Sequence, residues 1–103
     1  MGIEISGFDW DEGNAAKCES HGLSRSEIEE FFRSDIQLVY DFKHSLLEER
    51  FLAVGYGRGH RPMLVVFSRR EQKGGVLIRP ISARFMHSKE ALALSKTDPP
   101  ALR

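Results

Sequence analysis

A single cysteine, Cys18, stands among the 103 residues. No disulfide can form within the chain, and a reducing compartment is the simplest expectation. No apolar stretch approaches the ~20 residues that a membrane span needs, so no membrane partner is expected. The first residues carry no basic segment followed by an apolar run, so a signal peptide is not expected and a cytoplasmic location is. No two of the histidines His21, His44, His60 and His87 stand at i, i+3 or i+4. Without a His-x-x-x-His pair or a second cysteine, a zinc site has little support. Gly55-Tyr56-Gly57-Arg58-Gly59 lacks the Lys-Ser/Thr of a P-loop and reads as a hairpin turn, so no nucleotide cofactor is expected. No Gly-x-Ser-x-Gly elbow offers a serine nucleophile.

What is present is an ordinary globular composition, 41% hydrophobic and 29% charged, in a length that suits one domain. No repeat or linker divides it, so residues 1–103 are read as a single domain, with 96–103 expected to fray after Pro99 and Pro100. The net charge of zero hides a division. Residues 1–49 hold four Lys/Arg against twelve Asp/Glu, and residues 50–103 hold eleven against three. Such asymmetry fits an anionic partner for the second half, or two halves that attract each other within the fold.

Local signals place two helices early. Asp11 can cap a short helix through Ser20, with Gly22 as its left-handed stop. Ser24 and Glu27 form a capping box for the next helix, Leu23 can staple onto Ile28, and Ile28, Phe31 and Phe32 give it one apolar face. Strands are expected at Ile3–Trp10, Ile36–Tyr40, Arg50–Tyr56, Met63–Phe67 and Val76–Ile81, the last three joined by Gly-bearing turns. A final helix is expected over Ser88–Ser95. The fold class is therefore α+β: a small antiparallel sheet of about four to five strands, mostly a meander, flanked by two N-terminal helices and one C-terminal helix.

Two arginines stand among apolar strand residues. Alternation puts Arg50 on one face with Leu52 and Val54, and Arg79 with Leu77 and Ile81. A guanidinium there wants a phosphate, or else a carboxylate in a structural ion pair. Arg79 and Arg84 are an odd number apart, so a regular strand separates them, but Pro80 argues for an edge or a bulge that could bring them together. His21 suits a helix C-terminus, where it can bond free carbonyls. His87 is either a proton donor or the polar start of the last helix. Glu48-Glu49-Arg50 is either a charge pair at a strand edge or a general base beside a phosphate clamp.

The ordered set Phe8-Asp9-Trp10-Asp11, Gly13-Asn14, Lys17-Cys18, His21-Gly22-Leu23-Ser24, Glu49-Arg50-Phe51 and Ile78-Arg79-Pro80-Ile81-Ser82-Ala83-Arg84 is similar to the BrnT family. These are small toxins of type II toxin–antitoxin pairs. The likeness runs from about Phe8 to Glu90, and Ile-Ser-Ala-Arg after an arginine strand is its most specific part. It implies a RelE-like fold, ribonuclease activity, a BrnA-type antitoxin with a ribbon-helix-helix part, and operator DNA bound only through the complex. It carries Glu49, Arg50, Arg79 and Arg84 onto charged positions of the family motif, and His21 onto its His-Gly. Ser20 departs from the basic residue common before His-Gly, and the neutral net charge departs from the basic family average.

The expected chemistry is RNA cleavage without a metal, by attack of the ribose 2′-OH on the adjacent phosphate. Arg50 and Arg79 would clamp the phosphate, Glu49 or His21 would serve as base, and His87 or Arg84 would assist the leaving group. Arg58, Arg61, Arg69, Arg70 and Lys73 would attract the RNA backbone. The competing reading is a non-catalytic module of the same fold, its arginines in structural ion pairs. A DNA-binding regulator acting alone is disfavoured, since no helix-turn-helix is visible.

Overall fold

The computed structural model describes residues 5–41, 43, 48–87 and 89–90. Five strands form one sheet: β1 (Gly7–Phe8), β2 (Gln37–Tyr40), β3 (Phe51–Tyr56), β4 (Pro62–Gln72) and β5 (Gly75–Phe85), in the order β1-β5-β4-β3-β2. Strands β3 to β5 are the antiparallel meander that the turn signals predict, and β2 extends it antiparallel to β3. The addition is β1, which pairs parallel with β5 through Leu77 and Ile78 and makes the sheet mixed. Two described helices precede the meander, α1 (Glu12–Glu19) and α2 (Arg25–Phe32). Of the expected last helix only Lys89 and Glu90 are described, both helical; the rest of it, and the tail, lie outside the described residues.

Both helix starts follow from local hydrogen bonding. The Asn14 N–H donates to the Asp11 carboxylate at 2.9 Å, and the Asp11 N–H to Asn14 Oδ1 at 2.7 Å, so Asp and Asn build a capping box here. At α2 the expected Ser24–Glu27 box is present, both bonds at 3.1 Å. Between the helices Gly22 takes φ 84°, the left-handed stop that a side chain would resist.

Helix α2 buries Ile28, Phe31 and Phe32. Phe32 is the hub: its ring meets Phe8, Phe31 and Phe67 at 5.9, 5.7 and 5.0 Å between centroids. Helix α1 lies along β5 and buries Ala15 and Cys18. Its Asn14 side chain donates to the carbonyls of Asp9 and Pro80 at 2.9 and 2.8 Å, and so pins the helix start to β5. The core therefore sits on one face of the sheet, where Ala53, Met63, Val65, Phe67, Ile78 and Ala83 look toward the helices.

The opposite face carries the alternate residues. Register pairs Leu52 with Val66, and Val66 with Ser82. Between Val66 and Phe67 the β4–β5 register slips, because β5 holds one more residue, Ile81, than β4 opposes to it. This bulge beside Pro80 changes the parity of β5. Ser68 is paired with Arg79 and Leu64 with Arg84, so both arginines share the face away from α2.

Candidate active site

The face away from α2 is organised in rows that cross the strands. In one row Ser68 on β4 stands beside Arg79 on β5. The β3–β4 register ends at Phe51 opposite Phe67, and one further step sets Arg50 opposite Ser68. The Asp41 N–H donates to the Arg50 carbonyl at 2.9 Å, extending the same row past β2. The row thus reads Asp41, Arg50, Ser68, Arg79. Next to it, Leu52, Val66, Ile81 and Ser82 floor a hollow of about 290 Å³ whose rim holds Arg50, Asp41 and Lys17 of α1.

Arg79 is held by acids of the first half of the chain. Its guanidinium bonds the Asp11 carboxylate at 2.7 Å and lies 3.5 Å from Asp9 Oδ2. Asp9 is shared with Arg70, at 3.4 Å. The Asp11 carboxyl is held below its ordinary value, first by the Asn14 N–H and then by Arg79. The Arg79 guanidinium titrates higher than usual, chiefly through its bond to Asp11, and the charge of Glu48 also acts on it. Arg79 remains 22% exposed at its side chain.

The other sequence candidates separate around this row. Glu49 points to the opposite side, where it pairs with Arg69 at 3.6 Å and Arg69 lies over the Phe51 ring. Of the Glu48-Glu49 pair it is Glu48 whose charge acts on Arg79, after those of Asp11 and Asp9. Arg84 is on the arginine face but is gripped at both nitrogens by Glu90, at 2.8 and 2.6 Å. Arg84 and Glu90 line a second hollow with His87 and Lys89. Mutual bonding raises the Arg84 guanidinium and lowers the Glu90 carboxyl, which also accepts the His87 backbone N–H. His21 is exposed at the turn after α1. No described hydrogen bond or ion pair joins it to the row, and the free carbonyls there are met by the Ser20 and Gly22 N–H groups and the Ser20 hydroxyl.

The five basic residues expected to attract an RNA backbone do not form one patch. Arg58 and Arg61 lie before β4, Arg69 and Arg70 near its far end and Lys73 in the turn beyond. Along a strand this is a separation of roughly 30 Å. Arg58 pairs with Glu27 at 3.2 Å, and Arg61 lies over the Phe85 ring at 3.7 Å.

Three residues of the row and its rim were not among the sequence candidates: Lys17, Asp41 and Ser68. A parity signal existed for Ser68, the one hydroxyl directly after an apolar strand run. Lys17 and Asp41 reach the site through tertiary placement, which periodicity does not encode. Among the described residues no group of three or more His, Cys, Asp or Glu is close enough to hold a metal ion, and no helix is long and apolar enough to cross a membrane.

The model of one protein family, described as the ribonuclease toxin BrnT of the type II toxin–antitoxin system, matches residues 10–90. The chain belongs to this family. No curated protein matches the chain. The matched segment of this BrnT family member contains α1, α2, β2 to β5 and the whole arginine row. An RNA substrate and an antitoxin partner follow from membership at that level.

Proposed function

We propose that this chain is an endoribonuclease whose cleavage site is the Arg50–Ser68–Arg79 row, acting without a metal and arresting translation until its antitoxin covers that face. The single observation behind this reading is that register sets Arg50, which precedes β3, and Arg79 of β5 on one face with Ser68 between them, Arg50 at the rim of a hollow with an apolar floor. Two planar cations on one face suit a phosphodiester, whose oxygens accept bidentate bonds. In the reaction the 2′-OH attacks the adjacent phosphorus, its proton passes to a base, and the bond to the 5′ oxygen breaks as that oxygen takes a proton. A 2′,3′-cyclic phosphate and a free 5′-OH remain. Arg50 and Arg79 hold the charge that builds on the phosphoryl oxygens. Glu48 is the base best supported by position, since its charge acts on Arg79 and Glu49 lies on the other side. Lys17 on the rim, or His87 beside Arg84, supplies the proton to the leaving group. The antitoxin is of the BrnA, ribbon-helix-helix type, the pair reaches operator DNA only as a complex, and the toxin works in the cytoplasm.

The grip of Asp9 and Asp11 on Arg79 favours a second reading, in which the arginines serve only to hold the fold as a non-catalytic module. One experiment separates them. Labelled RNA is incubated with purified protein and EDTA, and the double variant Arg50→Ala/Arg79→Ala is compared with the parent. Cleavage should fall at least about a hundredfold, in line with losing two charge-assisted contacts to the transition state. The melting temperature should change by only a few degrees, because a solvent-reachable pair contributes little. Undiminished cleavage by the double variant overturns the nuclease assignment of this row. Collapse of stability instead would show that the arginines hold the fold.

A further inference from the structure

Ser68 is 1% exposed, and its hydroxyl has no hydrogen-bond partner among the described residues. A buried hydroxyl without a partner is uncommon, since it loses its bond to water and gains nothing. Its place makes the anomaly informative. Register sets it between Arg79 on one side and, one step beyond the last paired residue of β3, Arg50 on the other. Cross-strand neighbours on one face stand about 5 Å apart at Cβ. The hydroxyl is therefore at the middle of a three-residue row whose flanking members are both arginines. Val66 and Arg70 are its neighbours along the same strand and face, so no carboxylate adjoins it by register.

We infer that Ser68 is a phosphate-binding residue, its O–H donating to a non-bridging phosphoryl oxygen of an RNA strand held between Arg50 and Arg79. This rests on the proposed nuclease site and adds a third donor to it. A phosphate that draws Arg79 away from Asp9 and Asp11 brings the acceptor that the hydroxyl lacks in the free protein. The hydroxyl is then kept for a ligand, and the fold does not need its bond. Ser68 should thus behave unlike a structural serine: its removal should weaken substrate binding while leaving the free protein equally or more stable.

The test uses the full chain and its Ser68→Ala and Ser68→Thr variants. Affinity is measured for an oligoribonucleotide blocked at every 2′ oxygen by methylation, cleavage is measured on the unblocked oligomer, and melting is followed without RNA. Ser68→Ala should lose about ten- to a hundredfold in both affinity and cleavage, the range for one hydrogen bond to a charged group. Its melting temperature should be unchanged or higher, and Ser68→Thr, which keeps a hydroxyl, should recover most of the loss. Parental affinity and cleavage in Ser68→Ala overturn the inference. So does a loss that comes with a lowered melting temperature and is not recovered by threonine, because that pattern belongs to packing. Failure of this inference alone leaves the Arg50→Ala/Arg79→Ala variant inactive. Failure of the nuclease site leaves that double variant active as well.

Discussion

Asp11 does two jobs with one carboxylate, capping α1 through Asn14 and holding Arg79. Both favour the ionised form, so the folded-state carboxyl titrates below its ordinary 3.8. A group depressed in this way contributes stability above its ordinary value and loses that contribution as pH falls through the lowered one. The urea midpoint should therefore hold from about pH 7 to 5 and decline below about pH 4. Asp11→Asn, which keeps a capping oxygen, should flatten part of that decline, as chemical denaturation across pH would show. Cys18 offers a second check at this scale. Burial pushes its thiol up to about 11, and its side chain is wholly enclosed. It should resist alkylation at pH 8, with labelling at the rate of global opening and acceleration in denaturant. Labelling as fast as a free thiol would contradict the packing of α1. At the scale of residues, the sequence disclosed which arginines mattered and not what held them. Nothing in local pattern says that Asp9 and Asp11, some seventy positions away, would meet Arg79.

Helix α2 was the most legible element, because its cap, its staple and its apolar face all agree. That agreement yields two graded expectations. Ser24→Ala should cost about 1 kcal/mol, the usual effect of losing a capping side chain. Phe32→Ala should cost about 3–5 kcal/mol, since it removes the ring on which Phe8, Phe31 and Phe67 converge. Equilibrium unfolding in urea checks both, and equal effects would mean that α2 is held by its start and not by its docking. Strand β1 was much less legible. Two paired residues are too short to show a period, and their parallel pairing with β5 is a tertiary choice. The meander was readable from its turns. Its extra residue was readable only as a suspicion at Pro80, because bulge position depends on the partner strand.

For the molecule as a whole, the division of charge along the chain becomes pairing across the fold. Arg58, Arg69, Arg70 and Arg79 each face an acid from the first 49 residues. The second half is thus largely answered from within, and an RNA would meet few unengaged cations at a distance. Salt dependence should be correspondingly shallow. If the two arginines neutralise the one phosphate they clamp, log affinity should fall with log salt at a slope near about −0.7, the value per phosphate on single strands. A slope steeper than about −3 would mean that the wider basic set is recruited. Titrations of the methylated oligomer at several salt concentrations would decide.

The supernumerary Ile81 makes β5 an asymmetric ruler. It lets Pro80 and Ile78 on one side of the bulge share a face with Ala83 on the other, although the count between them is out of step. Loss of that one codon would close the bulge and restore plain alternation, with Ile78 still inward and Arg79 still beside Arg84 on the outer face. Loss of a residue of this strand away from the bulge would instead turn the stretch beyond it inside out. The hairpin should therefore tolerate a deletion at Ile81 better than one farther along the strand.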